Sequence, residues 1–436
     1  MKRILSGLLS AALLLSTFAG CSGSGSSASG TASGAASAAA STPQKVTFWY
    51  AYKGDEGKIF EQAVEDYNKS QTKYKVQGLS VTDKQKIIVA MASNESPDLI
   101  TGSNQDVGTY QSSGLIENIS DYIKKDNFDT KVFSDAAITA NTVNNSMYAL
   151  PLSAYSIQMY YNKDLLKKAG YTEPPKTMEE MYEMAVKATT LDSKGNIDVL
   201  GYPLFPLASA KQELVYGFGG RWWAEDGKTL TPDSQGVIDS LKMNVKFREK
   251  YGIQKVQAFI ATANTNRYTS KDMFFAGKQL FRFDGCWLPT MMKKYGSTVN
   301  YGITLIPGTQ ADPNLRGTCR FETSSVLIPV AAQNKDGAWD LAKYLTNSAE
   351  TKKINLGVGN LPALKSLYSD KDILAVPGFS DFVDALKSQH NIQYPHIADY
   401  SKYSSLIDQY LDFVYNGTKT PEQAMSELKK QAASLK

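Results

Sequence analysis

Three carboxylates stand where apolar runs stop. Asp106 follows Leu99-Ile100-Thr101, Asp284 ends the run Gln279–Asp284, and Glu322 closes Arg320-Phe321-Glu322. Two carboxyls held about 5–10 Å apart across a bond would make an acid–base pair for hydrolysis. Asn104 and Gln105 sit beside Asp106 and add planar amides with fixed donors and acceptors. Arg320 offers a fork that fits an anion, or that pairs with Glu322 or Asp284, and the pairing is the simpler expectation. The adjacent indoles of Trp222 and Trp223 cannot both be buried on one face, so one of them is expected to be exposed and functional. Tyr394 and His396, around Pro395, are weaker candidates. There are two histidines, His390 and His396, and three cysteines without a cluster, so no zinc site and no cofactor is expected.

The third cysteine reads differently. Lys2 and Arg3 precede an apolar stretch from Ile4 to Phe18, and Ala19-Gly20 supplies small residues before Cys21. This predicts a secretory leader over residues 1–20, too short and too interrupted to span a membrane. Thr17-Phe18-Ala19-Gly20-Cys21 resembles a bacterial lipobox, with Phe18 where Leu is usual. That resemblance implies lipid, palmitate among it, on Cys21 and attachment to the outer face of the cell membrane. Residues 22–42 are all Ser, Gly, Ala or Thr, which cannot bury enough surface to offset the entropy of ordering. Residues 21–43 therefore read as an anchor and a tether, which spans about 25 Å. A tether of this kind suits the thick wall of a Gram-positive cell.

The leader holds two of the 47 basic residues, leaving the rest nearly balanced against 43 acidic ones. That balance argues against nucleic acid as a partner. The remaining chain is too long for one ordinary core and fits two lobes. Cys286 and Cys319 are left after the anchor, and export permits a disulfide between them, with two free or buried thiols as the other reading.

The elements that must position these residues alternate. Lys45–Ala51 (KVTFWYA) predicts a buried strand, followed by a helix capped at Asp55 with Ile59, Phe60, Ala63, Val64 and Tyr67 on one face. Tyr74–Leu79 is a second strand, a helix capped near Asp83 follows, and 97–101 is a third strand that ends in a polar loop, 102–107. Strands alternating with helices predict a parallel sheet with helices on both faces and ligand beyond the strand ends. Trp49, Tyr50 and the loop with Asn104, Gln105 and Asp106 then share one rim. Alternation sends only one of Trp49 and Tyr50 toward that rim, and Tyr50 is favoured because its hydroxyl wants a partner. Further on, Ile157–Tyr161, Gln279–Asp284, Tyr301–Ile306 and Ser324–Pro329 read as strands. Thr177-Met178-Glu179-Glu180 matches a capping box, and Thr420-Pro421 opens a last helix. Trp339 lies beside a helical stripe and reads as structural.

Several segments together resemble the sugar-binding group of extracellular solute-binding proteins of ABC importers. They are Pro97-Asp98-Leu99-Ile100 with Ser113–Ile119, Met147–Pro151 with Tyr160–Leu166, Pro174–Glu180, and Phe275–Lys278 through Asp284–Trp287. The resemblance covers about residues 45–430. It implies an α/β fold of two lobes, each a sheet flanked by helices, with a hinge between. It places lobe one at 44–152 plus 312–358 and lobe two at 153–311 plus 359–436, with crossings near 151–155, 307–318 and 356–362. Ligand would lie in the interlobe cleft and be buried by hinge closure.

A sugar needs flat apolar partners for its C–H faces and planar polar groups for its hydroxyls. The spacing from Asp98 to Gly114 matches the maltose-binding members without a gap, so the family's acid–base ligand pair falls on Gln105 and Asp106, a different chemistry. Tyr155 falls where the family places a ligand contact after the first crossing, and Trp287 where it places a stacking indole. Asp284 would accept two hydroxyls. The resemblance implies a binding protein, not an enzyme, that acts as a monomer. It would deliver a carbohydrate, an oligosaccharide by the aromatic content, to the transmembrane subunits of a permease. The alternatives are glycerol 3-phosphate or a sugar acid, which would need a second cleft cation beside Arg320, and an exported glycoside hydrolase.

Overall fold

A computed structural model describes residues 42–435 except 208, 387–389 and 396. The expected leader, Cys21, nearly all of the linker and His396 lie outside the described residues.

The strand Gln44–Tyr50 pairs in parallel with Tyr74–Ser80 on one side and Leu99–Ser103 on the other. Its period-2 pattern decides its two faces. Val46, Phe48 and Tyr50 are buried against Phe60, Ala63 and Tyr67 of the helix Gly54–Ser70, while Thr47 and Trp49 turn the other way. Each large apolar side chain buried here stabilises the fold by roughly 1.5–3 kcal/mol. Asp83 accepts from the backbone N–H groups of Gln85 and Lys86 and so starts the helix Lys84–Met91. Asp55 does not cap its helix. It lies in the first turn and pairs with Lys58 and Lys294.

The strand Cys319–Leu327 completes this six-stranded sheet and extends beyond it. Its C-terminal half runs antiparallel to Leu99–Ser103, its middle antiparallel to Leu150–Ser156, and its first two residues pair with Asn391–Ile392. Ala154 donates its N–H to the Leu361 carbonyl at 2.9 Å, which lays a third segment alongside. One long strand thus links the first sheet to elements outside it.

The second sheet departs from the parallel arrangement expected. Gln158–Asn162 is its central strand, antiparallel to Phe281–Asp284 and to Tyr301–Thr304. The two flanking strands run parallel to each other and are joined through the helix Leu288–Lys294. The central strand enters from Leu150–Ser156 and runs against both. Helices Met178–Ala188, Ala210–Gly217, Gln235–Tyr251 and Tyr400–Tyr415 cover this body around Met159, Met181, Leu214, Phe247 and Tyr403. The segment 361–386 packs on both bodies, bridging Phe133 through Leu364 and meeting Tyr160 through Phe382. Cys286 and Cys319 are separate buried thiols, and burial pushes the Cys286 thiol up to about 12.

Candidate functional site

The residues expected to form a polar loop after Thr101 open the helix Asn104–Ser112 instead. Asp106 is its third residue and accepts from the Ser103 backbone N–H and hydroxyl, both at 3.0 Å. Its other oxygen pairs with Lys84. Asn104 is 2% exposed and is used up on the backbone of Cys319–Leu327: it accepts from Thr323 N–H at 3.0 Å and donates to the Phe321 carbonyl at 3.4 Å. Expected as a ligand contact, Asn104 instead fastens the helix to the long strand. Gln105 points along that strand and donates to Glu322 at 3.4 Å.

Glu322 is a centre of the arrangement. It accepts from Tyr394 at 2.8 Å and pairs with the Arg320 Nε at 2.7 Å. Burial works against the Arg320 charge, but Glu322, Tyr394 and Glu213 together outweigh it and keep the guanidinium firmly protonated. Glu213, fully buried, reaches the Arg320 backbone N–H at 3.3 Å, and burial pushes its carboxyl up to about 8. Tyr155 is the cross-strand neighbour of Glu322, and burial first and Glu322 second raise its pKa well above the usual.

Tyr155 meets Trp287 edge-on, ring centroids 5.3 Å apart. The Trp287 Nε1–H donates to the Tyr268 hydroxyl at 2.7 Å, which in turn donates to Asp284 at 2.6 Å. Asp284 is fully buried, so it cannot receive ligand hydroxyls as expected. Its oxygens are occupied by Arg282 at 2.7 Å, Arg267 at 3.5 Å and Tyr268. Burial alone would raise the Asp284 carboxyl, but Arg282 and Arg267 outweigh burial and hold it below the usual range.

Two other expectations are corrected. Tyr50 is 1% exposed and packs on Phe48 and Phe60, because the residues that share its face of the strand are the core-facing ones. Both Trp222 and Trp223 are buried, at 1% and 4% exposure. They lie in an irregular segment rather than on a strand or helix, so neighbours are not confined to alternate or adjacent faces. Trp223 stacks on Tyr394 at 6.0 Å and donates to the Gln393 carbonyl. Trp339 is buried, with its N–H on Asp126 at 2.9 Å.

Open space adjoins this set. One cavity of about 310 Å³ is bordered by Tyr52, Lys84, Thr101, Ser103, Asp106 and Tyr110. A second, of about 240 Å³, lies between Lys84, Gln105, Asp106 and Tyr110 on one side and Tyr400 and Ser404 on the other. Tyr52, Lys84, Tyr110, Tyr268 and Tyr400 were not singled out from the sequence. Tyr52 follows Tyr50 by two residues just past the strand end, donates to the Ser324 hydroxyl at 3.0 Å, and sits at the rim where strand ends direct ligand. Lys84 borders both cavities and faces Asp106. Outside their lining, Arg320 faces Glu322 and Arg267 faces Asp284.

Two α/β bodies, linked by adjacent strands and lined by aromatic rings and charge-balanced polar groups, define a two-lobed binding protein. The chain belongs to the bacterial extracellular solute-binding protein family, whose pattern matches residues 50–352. Membership places it on the outward-facing side, periplasmic or extracellular. A maltotriose-binding protein of Pyrococcus abyssi is 25% identical over 353 residues, covering 79% of this chain and 72% of that protein. A galactooligosaccharide-binding protein of Bacillus subtilis is 26% identical over 339 residues, 76% of this chain and 75% of the relative. Among solved structures, CpMnBP1 with mannotriose bound has the same fold, with a TM-score of 0.80 at 23% identity, covering 89% of this chain and all of that one.

Proposed function

We propose that this protein captures a neutral carbohydrate, an oligosaccharide, in the cleft between its lobes and delivers it to an ABC permease. It acts as a monomer without covalent chemistry, held at the outer face of a Gram-positive cell membrane by lipid on Cys21. The lobes divide as 44–152 with 312–358 and 153–311 with 359–436. Trp287 and Tyr155 stack on sugar faces, and Gln105, Asp106, Arg320 and Glu322 read hydroxyls. Closure of the lobes excludes water and presents the loaded form to the permease.

The observation that carries this reading is the charge balance of the polar groups beside the half-buried Trp287 and Tyr155. Lys84, Arg320 and Arg267 each face a carboxylate. An anionic solute would have to break one of these pairs, whereas a neutral polyol needs only their outer lone pairs and N–H groups. The same balance weighs against glycerol 3-phosphate or a sugar acid. A hydrolase is disfavoured because, of its three candidate carboxylates, Asp284 is fully buried while Asp106 and Glu322 are each held by a cation, Lys84 and Arg320. The relatives that bind maltotriose and galactooligosaccharide, and the mannotriose complex of like fold, support the same substrate class.

A thermal-shift screen with maltotriose, mannotriose, a galactooligosaccharide and glycerol 3-phosphate tests it, since ligand at about 100 times Kd stabilises by about 2.7 kcal/mol. A rise in Tm with one of the neutral sugars and none with glycerol 3-phosphate is expected. A rise with the anion alone would overturn the reading.

A further inference from the structure

We infer that Tyr268 is a positioning residue that fixes the Trp287 indole for stacking on a sugar ring, and that Asp284 acts through it. This deepens the carbohydrate reading and rests on it for the sugar, but the geometry stands by itself.

Three observations converge on the indole. The Tyr268 hydroxyl has one proton, which it gives to Asp284 at 2.6 Å, leaving its lone pairs to accept from Trp287 Nε1 at 2.7 Å and Arg267 at 2.6 Å. The direction of the chain is therefore fixed by Asp284, which Arg282 and Arg267 keep ionised and acceptor-only. Tyr268 itself is held at φ +55°, a left-handed conformation uncommon for a bulky residue. Asp272 secures it there by accepting the Tyr268 backbone N–H at 2.9 Å, and Arg282 anchors Asp272 with contacts at 2.8 and 2.9 Å. Arg282 thus braces both carboxylates that hold Tyr268, one at its backbone and one at its hydroxyl.

The other side of the ring is prepared as well. A Cβ on Gly285 would lie 2.2 Å from two carbons of the Trp287 ring, so the indole folds back over a residue that must be glycine. The Gly285 carbonyl is pinned by the buried Tyr160 hydroxyl at 2.9 Å. With the Tyr155 ring perpendicular to it at 5.3 Å, the indole is restrained at its N–H, against Gly285 at its six-membered ring, and by Tyr155. Stacking affinity depends on such preorganisation, because an indole free to rotate must be ordered by the sugar that binds it.

The test uses the protein with its five tryptophans labelled at the indole nitrogen. Loss of one resonance in Trp287→Phe assigns Trp287. In the wild type its indole N–H should exchange slowly with solvent. In Tyr268→Phe that resonance alone should shift, and its exchange should quicken at least tenfold with Tm little changed. Fast exchange of the Trp287 N–H in the unaltered protein would overturn the inference without any variant, as would an unmoved Trp287 resonance in Tyr268→Phe. Maltotriose and mannotriose titrations separate the two readings. Affinity should fall about tenfold in Tyr268→Phe, and the same change should add nothing in a Trp287→Phe background. If Trp287→Phe weakens sugar binding and Tyr268→Phe does not, positioning is wrong while the carbohydrate reading stands. If neither sugar binds the wild type, the carbohydrate reading loses its support while the exchange measurement still decides positioning.

Discussion

Asp284 ends a strand of the second sheet and Asp106 lies just past a strand of the first, and they do opposite work. Asp284 is fully buried, braced by two arginines, and turned away from open space to hold a tyrosine. Asp106 borders two cavities and shares its outer oxygen with Lys84, whose side chain is 54% exposed. The first carboxylate shapes an aromatic surface, and the second offers polarity to what lies beside it. A carboxylate at a strand end is thus not one kind of site residue, and the number of arginines behind it separates the two kinds.

The sharpest way to break this contrast is to remove the brace. Arg282→Ala would leave Asp272 and Asp284 buried, with Asp272 losing its paired cation. A stability loss of about 3–5 kcal/mol is expected in denaturant unfolding. A loss under about 1 kcal/mol would show that the network is not held by Arg282.

Between the two ends lies Glu213, whose folded carboxyl is raised by burial from the ordinary 4.5 to about 8. The unfolded chain gives up that proton at lower pH, so the stability it contributes is full below about 4.5 and declines as pH rises toward 8. The slope is at most about 1.4 kcal/mol per pH unit. Denaturation midpoints measured at pH 5 and pH 8 should fall with pH in the wild type and flatten in Glu213→Gln. Equal slopes in both would remove Glu213 from the account.

The lobe-one end should respond more mildly. Asn104→Ala removes two hydrogen bonds to the Cys319–Leu327 strand and should cost about 1–3 kcal/mol of stability, more than any change in sugar affinity. An affinity loss without a stability loss would return Asn104 to the ligand. Lys84→Ala should alter affinity or stability by only about 0.2–1 kcal/mol, because the lysine of the pair is largely in water. Calorimetry and unfolding on the same variant check it.

Much of the fold was legible because periodicity and caps are local. The stripe Phe60, Ala63, Val64 and Tyr67 and the Thr177–Glu180 capping box are present where the residues predicted them. The helix Asn104–Ser112 was missed although Ser103-Asn104-Gln105-Asp106 carries a capping-box spacing, since its polar first turn reads equally as loop. The antiparallel second sheet was not legible, because strand direction depends on where the chain enters from the other body. The site was legible by residue type more than by role. Arg282 and Asp284 share a face of their strand, so their pairing was legible, but the Asp272 that Arg282 also holds was not, and Tyr268 is marked by a backbone angle that no composition reveals. The buried Trp222–Trp223 pair failed for a similar reason, since an irregular segment obeys neither a period of 2 nor one of 3.6.

The most direct measurement is calorimetry of the wild type and Trp287→Ala on maltotriose, mannotriose and a galactooligosaccharide, with glycerol 3-phosphate alongside. The account predicts that a neutral saccharide binds the wild type and that Trp287→Ala weakens it by about 2 kcal/mol or more, roughly 30-fold, with the anion silent in both. Binding of glycerol 3-phosphate alone, or a saccharide affinity indifferent to Trp287, would contradict it.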